Sequence, residues 1–203
     1  DFALWYGKNR HNPGTDTELG LIRAKAMTML LLALPGSTYM YQGEELGLPE
    51  VFDIPDDQMQ DPQFARNPEV GLSRDGCRVP LPWTKTGSSF GFGPGGAHLP
   101  QPAWYANYSV EAEELNQHSP LNFYRRALEL RREVLQGEKL EWIESKNPFA
   151  NKNVVHFVRT GGWRCITNFG DRPIKVPAGE VILASSALID GKIPGSTTVW
   201  LKG

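Results

Sequence analysis

The sequence predicts an α+β fold, and three observations predict it. Residues 19–34 are apolar in a helical pattern and run into a short apolar strand signal at residues 37–42. Residues 121–135 repeat the helical period with one apolar face. From residue 138 onward the period falls to two, with short runs punctuated by glycine and proline, which reads as a small antiparallel sheet or sandwich. The change of period divides the chain into residues 1–137 and 138–203.

Asn12-Pro13-Gly14 is a turn signal, and Thr15 followed by Glu18 fits a capping box that announces the first helix. Apolar residues occupy most of that helix's circumference, with Arg23, Lys25 and Thr28 as the main exceptions. A helix apolar nearly all round must be packed on several sides, so part of its core is expected to lie outside this chain. Leu21, Ile22, Met27, Leu30 and Leu31 are then short of neighbours, and self-association or partial disorder of residues 1–50 is expected. Pro35 and Gly36 stop the helix, residues 37–42 read as a short buried strand, and Gly43-Glu44-Glu45 sets two carboxyl groups where that strand ends. Two readings stand here: a strand-end acidic site that faces a common mouth, or first-turn carboxylates that favour the start of a short helical segment.

Residues 49–118 form a connection of about 70 residues, where a compact one takes about 2 to 6. Its many prolines and glycines predict a long, ordered, loop-rich segment. It carries Asp53, Asp56, Asp57, Asp61, Arg66, Arg74, Asp75 and Arg78, and the rings Phe52, Phe64, Trp83, Phe90, Phe92, Trp104 and Tyr105. Carboxylates and guanidinium groups suit sugar hydroxyls, and flat rings suit the C–H face of a pyranose. The other reading is a solvated loop with its own aromatic cluster. Gly91-Phe92-Gly93-Pro94-Gly95-Gly96 mimics a dinucleotide fingerprint, but no strand precedes it and Pro94 breaks a helix start. Asn107-Tyr108-Ser109 is a formal glycosylation sequon, silent without a secretion signal.

Ser119-Pro120 supplies an N-cap and a proline at the first helical position. Phe123, Tyr124, Ala127, Leu128, Leu130 and Val134 make the core face that follows, and the basic cluster Arg125, Arg126, Arg131 and Arg132 reads as a solvated face, an anion site being the other reading. Residues 154–159 and 163–168, joined through Gly161-Gly162, read as a β-hairpin because two glycines supply the positive φ of a primed turn. Residues 180–184 and 197–201 add further strands.

A net charge of −2 leaves no surplus basic face for nucleic acid. No apolar run approaches the roughly 20 residues that cross a bilayer, and no signal peptide is evident, so a cytoplasmic location is expected. Cys77 and Cys165 match no metal spacing and are expected as free thiols, a disulfide being the other reading. His11, His98, His118 and His156 are scattered, and no metal site is expected.

Three motifs stand in order: LPGSTYMYQGEELGLPEV at residues 34–51, SRDGCRVPLPW at 73–83, and SPLNFYRRALELRRE at 119–133. Together they resemble the C-terminal part of the α-amylase superfamily, in the α-glucosidase and oligo-1,6-glucosidase branch of glycoside hydrolase family 13. The resemblance implies that residues 19–34 are the seventh helix of a (β/α)8 barrel, 37–42 the eighth strand and 121–135 the eighth helix. The chain is then the C-terminal remnant of a barrel that needs about 250 residues, plus a small antiparallel β-sandwich domain.

The same resemblance implies a retaining glycosidase that works through a covalent glycosyl-enzyme intermediate without an organic cofactor. It implies no catalytic residue in this chain, because the family's three acids belong to segments upstream; Asp1 lacks the surrounding pattern and takes no role. Arg78 matches the arginine of the R-x-P-x-x-W loop that borders the substrate entrance. Glu44 and Glu45 match the YQGEE motif and are expected to brace the cleft through backbone and arginine bonds, with Asp56 and Asp57 at the cleft wall. Trp83 is expected as a core ring that pins the loop, sugar stacking being the other reading. Leu81-Pro82 replaces the usual Met-Gln, so the resemblance does not extend to linkage preference. The expected function is the C-terminal segment of an α-glucosidase acting on short α-linked glucosides, inactive by itself and meeting its oligosaccharide together with the missing barrel portion. The rivals are a carbohydrate-binding or non-catalytic interaction module on the same scaffold, and a transglucosylating parent such as a sucrose isomerase or trehalose-forming enzyme.

Overall fold

A computed structural model describes residues 16–70, 73–134, 137–144 and 152–203. Asp1, the turn signal at Asn12 to Gly14 and the Thr15 cap lie outside them. Helix α1 (Thr17–Ala33) starts at Asp16, whose Oδ1 accepts from the Leu19 amide at 2.9 Å and whose carbonyl accepts from Gly20. A short acid at this position satisfies an amide that has no partner inside the helix. The described chain divides into two compact units, one built on residues 16–20 and 40–124 and the other on residues 21–39 and 125–203.

The second unit holds a five-stranded antiparallel sheet made by β1 (Leu140–Trp142), β2 (Val154–Arg159), β3 (Arg164–Asn168), β5 (Glu180–Ala184) and β7 (Thr197–Lys202) in the order β1-β2-β3-β7-β5. Strands β4 (Ile174–Lys175) and β6 (Lys192–Ile193) form a separate antiparallel pair. The β2–β3 hairpin turns through Gly161 and Gly162, whose φ values of 83° and 78° confirm why two glycines stand there. Register aligns Phe157 with Cys165 and Cys165 with Trp200, a fully buried row.

On that face the sheet meets α1. Trp200 Nε1 donates to the Met29 carbonyl at 3.2 Å and Thr198 Oγ1 to the Ala26 carbonyl at 2.7 Å. On the opposite face Ile166, Val199 and Leu201 cluster with Ile193 of β6 and Ile174 of β4, so the strand pair covers the second side as in the expected small sandwich. Helix α1 buries Ala26, Met29, Leu32 and Ala33, while Leu21, Ile22, Met27 and Leu30 are half-buried and Leu31 is exposed. Its apolar circumference is therefore only partly used.

The strand expected at residues 37–42 does not form. The segment takes no regular secondary structure, Tyr39 is 92% exposed, and no strand among the described residues pairs with it. A short apolar run becomes a strand only when neighbours accept its backbone bonds, and the sequence pattern does not reveal whether those neighbours exist.

The first unit replaces a single long loop with short turns of helix around its own core. Besides α2 (Pro62–Arg66) and α3 (Val110–Glu114), 3₁₀ turns occupy Glu44–Leu46, Asp56–Gln58, Pro68–Val70, Asp75–Cys77, Ser88–Gly91 and Ala103–Tyr108. Val51, Ile54, Val79, Leu99 and Tyr105 are buried together, with Leu48, Met59, Phe90 and Trp104 packed around them. Helix α4 (Pro120–Val134) opens as expected, Ser119 Oγ accepting from the Asn122 amide.

Candidate substrate-binding surface

The expected site residues all fall in the unit of residues 40–124, and the segment that carries Arg78 is bonded through two buried aspartates. Asp75, 2% exposed, turns its Oδ2 to the amides of Gln60 and Asp61, both at 2.8 Å, and to the Ser73 hydroxyl at 3.0 Å. Asp61, 1% exposed, returns the arrangement: Oδ2 accepts from the Arg74 amide and Nε, Oδ1 from Arg74 Nη2, each at 2.8 Å, and Oδ1 also caps α2 through the Gln63 amide. The Arg74 guanidinium and these amides hold the Asp61 carboxyl well below the usual carboxylate range.

From Asp75 the backbone makes one 3₁₀ turn, and the Arg78 amide closes it on the Asp75 carbonyl at 2.9 Å. Within the turn Gly76 lies against Val51, whose amide donates to the Gly76 carbonyl at 3.2 Å. A Cβ on Gly76 would sit 2.3 Å from the Val51 oxygen, so only glycine fits.

Arg78 is half-buried and stands beside Cys77 and Tyr41. The Tyr41 hydroxyl donates to Cys77 Sγ at 3.9 Å. Partial burial and the neighbouring thiol raise the Tyr41 phenol, while the Arg78 guanidinium opposes the rise. Cys77 is exposed and free, its thiol donating to the Arg74 carbonyl at 3.1 Å. A guanidinium, a phenol and a thiol thus share one edge, which offers several hydrogen-bonding groups to a hydroxylated ligand.

The YQGEE turn belongs to the same unit. Gly43, at φ 90°, starts the Glu44–Leu46 turn, and Glu45 Oε2 accepts from the Gly43 amide at 2.9 Å. Glu44 is exposed and Glu45 half-buried, and among the described residues neither carboxylate pairs with an arginine, so of the expected bracing bonds only the backbone one forms. Asp56 and Asp57 begin a separate exposed 3₁₀ turn. Trp83, expected in the core, is 52% exposed; its amide and carbonyl are held by Phe90 and Glu111, which fixes the backbone and leaves the ring outside.

Sequence reasoning did not single out Glu113 at the end of α3. Its Oε2 accepts from the Leu121 amide at 2.9 Å and so caps α4 alongside Ser119. Burial, with help from the Glu45 charge and against the Leu121 bond, pushes its carboxyl up to about 7. Among the described residues no group of three or more His, Cys, Asp and Glu side chains is fit to hold a metal, and no helix is long and apolar enough to cross a membrane.

Against known proteins, the family model for the alpha amylase catalytic domain matches residues 8–137. The chain belongs to the alpha-amylase family. Within glycoside hydrolase family 13, this alpha-amylase-family chain is 30% identical to a probable alpha-glucosidase of Rhizobium meliloti over 153 residues, covering 73% of the chain and 26% of the relative. It is 32% identical to the alpha-glucosidase MAL32 of Saccharomyces cerevisiae over 154 residues, with 61% and 26% covered. It therefore spans about a quarter of the length of these relatives. Among solved structures, the alpha-glucosyl transfer enzyme XgtA aligns with a TM-score of 0.65 at 30% identity, over 90% of this chain and 34% of its own. The trehalose-6-phosphate hydrolase TreA of Bacillus licheniformis shares the fold, with a TM-score of 0.72 at 19% identity over 88% of this chain and 38% of its own.

Proposed function

We propose that the chain is the C-terminal segment of a retaining α-glucosidase that hydrolyses short α-linked glucosides. The observation that carries the reading is the Arg78 loop: within the stretch matched to the family, SRDGCRVPLPW is bonded through Arg74 and Asp75 at one end and Trp83 at the other, and presents Arg78 beside Tyr41 and Cys77. Arg78 borders the substrate entrance and donates to sugar hydroxyls, Glu45 braces the YQGEE turn, and Glu44, Asp56 and Asp57 offer exposed carboxylates to the cleft wall. Residues 1–137 belong to the barrel and 138–203 to the β domain. The nucleophile and the general acid, about 5 Å apart in retaining enzymes, come from outside this chain, so the segment alone does not turn over. It also self-associates through the uncovered face of α1.

The purified chain with p-nitrophenyl α-glucoside tests this: no release of p-nitrophenol is expected, and turnover above background overturns the assignment of both acids to other segments. Arg78 is tested by footprinting, because Cys77 is its neighbour. Maltose at tens of millimolar should slow alkylation of Cys77, and an unchanged rate removes Arg78 from the sugar surface.

A second reading, transfer rather than hydrolysis, is favoured by the likeness to an alpha-glucosyl transfer enzyme at 30% identity. Products of the whole enzyme on concentrated maltose distinguish them: glucose alone supports hydrolysis, and new oligosaccharides support transfer.

A further inference from the structure

We infer that Asp61 and Asp75 are positioning residues for Arg78, forming a reciprocal clasp that fixes the arginine-bearing turn while neither carboxylate meets the sugar. The inference rests on the reading of Arg78 as the sugar-contacting group. Both aspartates are almost fully buried, so neither is available to a ligand in the cleft. Each accepts from a backbone amide beside the other, Asp75 from Asp61 and Asp61 from Arg74, so the two carboxylates staple residues 60–63 to residues 73–75.

The staple reaches Arg78 with little slack. The Arg78 amide is tied to the Asp75 carbonyl, and Gly76 between them is wedged on the Val51 carbonyl. The Cys77 thiol is tied to the carbonyl of Arg74, itself a member of the clasp. Opening the clasp therefore releases Cys77 and Arg78 together. The two aspartates also separate chemically. Among the described residues the donors to Asp75 are two amides and a hydroxyl, all neutral, so an amide oxygen can replace its carboxylate; Asp61 holds a guanidinium through both oxygens, which an amide cannot do.

The test measures alkylation of Cys77 by iodoacetamide in the full 203-residue chain, with and without maltose, for wild type, Asp75→Ala, Asp75→Asn and Asp61→Asn. The clasp predicts that Asp75→Ala and Asp61→Asn raise the maltose-free rate about fivefold or more and abolish protection by maltose, while Asp75→Asn restores both to near wild type. Should Asp75→Ala fail to fold, Asp61→Asn against Asp75→Asn carries the same contrast. Rates that stay at the wild-type value in Asp61→Asn, or that rise equally in Asp75→Asn, overturn the clasp. If maltose gives no protection even to wild type, the Arg78 reading falls while the maltose-free rates still decide whether the clasp holds the turn.

Discussion

The guanidinium of Arg159, 3% exposed, donates through Nη1 to the carbonyl of Ala33, the last residue of α1, and through Nε and Nη2 to the carbonyls of Lys139 and Gly137. Carbonyls at a helix end have no partner inside the helix, and a cation there also complements the helix dipole. Removing the side chain leaves three carbonyls without their donor, each worth about 1 to 3 kcal/mol when buried. Arg159→Ala should therefore lower the unfolding free energy by about 3 kcal/mol in urea titration followed by tryptophan fluorescence, since Trp163 and Trp200 are buried in the same unit. Arg159→Lys, with one compact ammonium in place of a planar fork, should recover less than half of that loss.

Gly76 and Gly36 make a second prediction by contrast. At Gly76 an added methyl group meets the Val51 carbonyl at 2.3 Å, whereas at Gly36 nothing lies within 4 Å and only the φ of +90° resists a side chain. Gly76→Ala should destabilise by about 3 kcal/mol or more and abolish hydrogen-exchange protection of the Val51 amide, which donates to Gly76. Gly36→Ala should cost about 1 to 2 kcal/mol and leave that amide protected.

Glu113 gives the pH dependence. Its folded pKa, about 7, lies above the ordinary carboxylate value of 4.5. Between those values the folded chain holds a proton that the unfolded chain has released, so stability falls as pH rises through the window, by at most about 1.4 kcal/mol per pH unit for one proton. The burden is absent below pH 4.5 and complete above pH 7. Glu113→Gln keeps an oxygen for the Leu121 amide and has no charge to bury. Its melting temperature should match wild type at pH 4.5 and exceed it at pH 8; equal values at both would show that the carboxyl is not shifted.

Elements that depend on neighbours close in sequence were legible. The Ser119-Pro120 cap, the Gly161-Gly162 turn and the period change toward the sheet all form, because each is fixed by backbone chemistry within a few residues. The same logic was available at Asp61-Pro62, where an acid precedes a proline and does cap α2. The clasp was not legible, because the bonds that join its two halves include backbone amides 13 to 15 residues away, which every sequence possesses. Trp83 shows the converse: hydrophobicity suggested a core ring, but its backbone bonds to Phe90 and Glu111 decide where the ring stands. Residues 37–42 needed strand partners that their own pattern does not encode.

Helix α1 carries the last prediction. It has more apolar surface than the sheet beneath it covers: Ala26, Met29, Leu32 and Ala33 are buried, but Leu31 is exposed and Leu21, Ile22, Met27 and Leu30 are half-covered. Tyr39 follows, 92% exposed, and no strand among the described residues pairs with its segment. Burying a large aliphatic side chain is worth about 1.5 to 3 kcal/mol, so partial burial of several in a second copy suffices for micromolar association. Light scattering on the purified chain should give a mass above 22.6 kDa that rises with concentration. Leu31→Glu should return it toward the monomer, because an ionised carboxylate opposes burial of that face. A constant monomeric mass would mean that the half-covered face is satisfied as it stands.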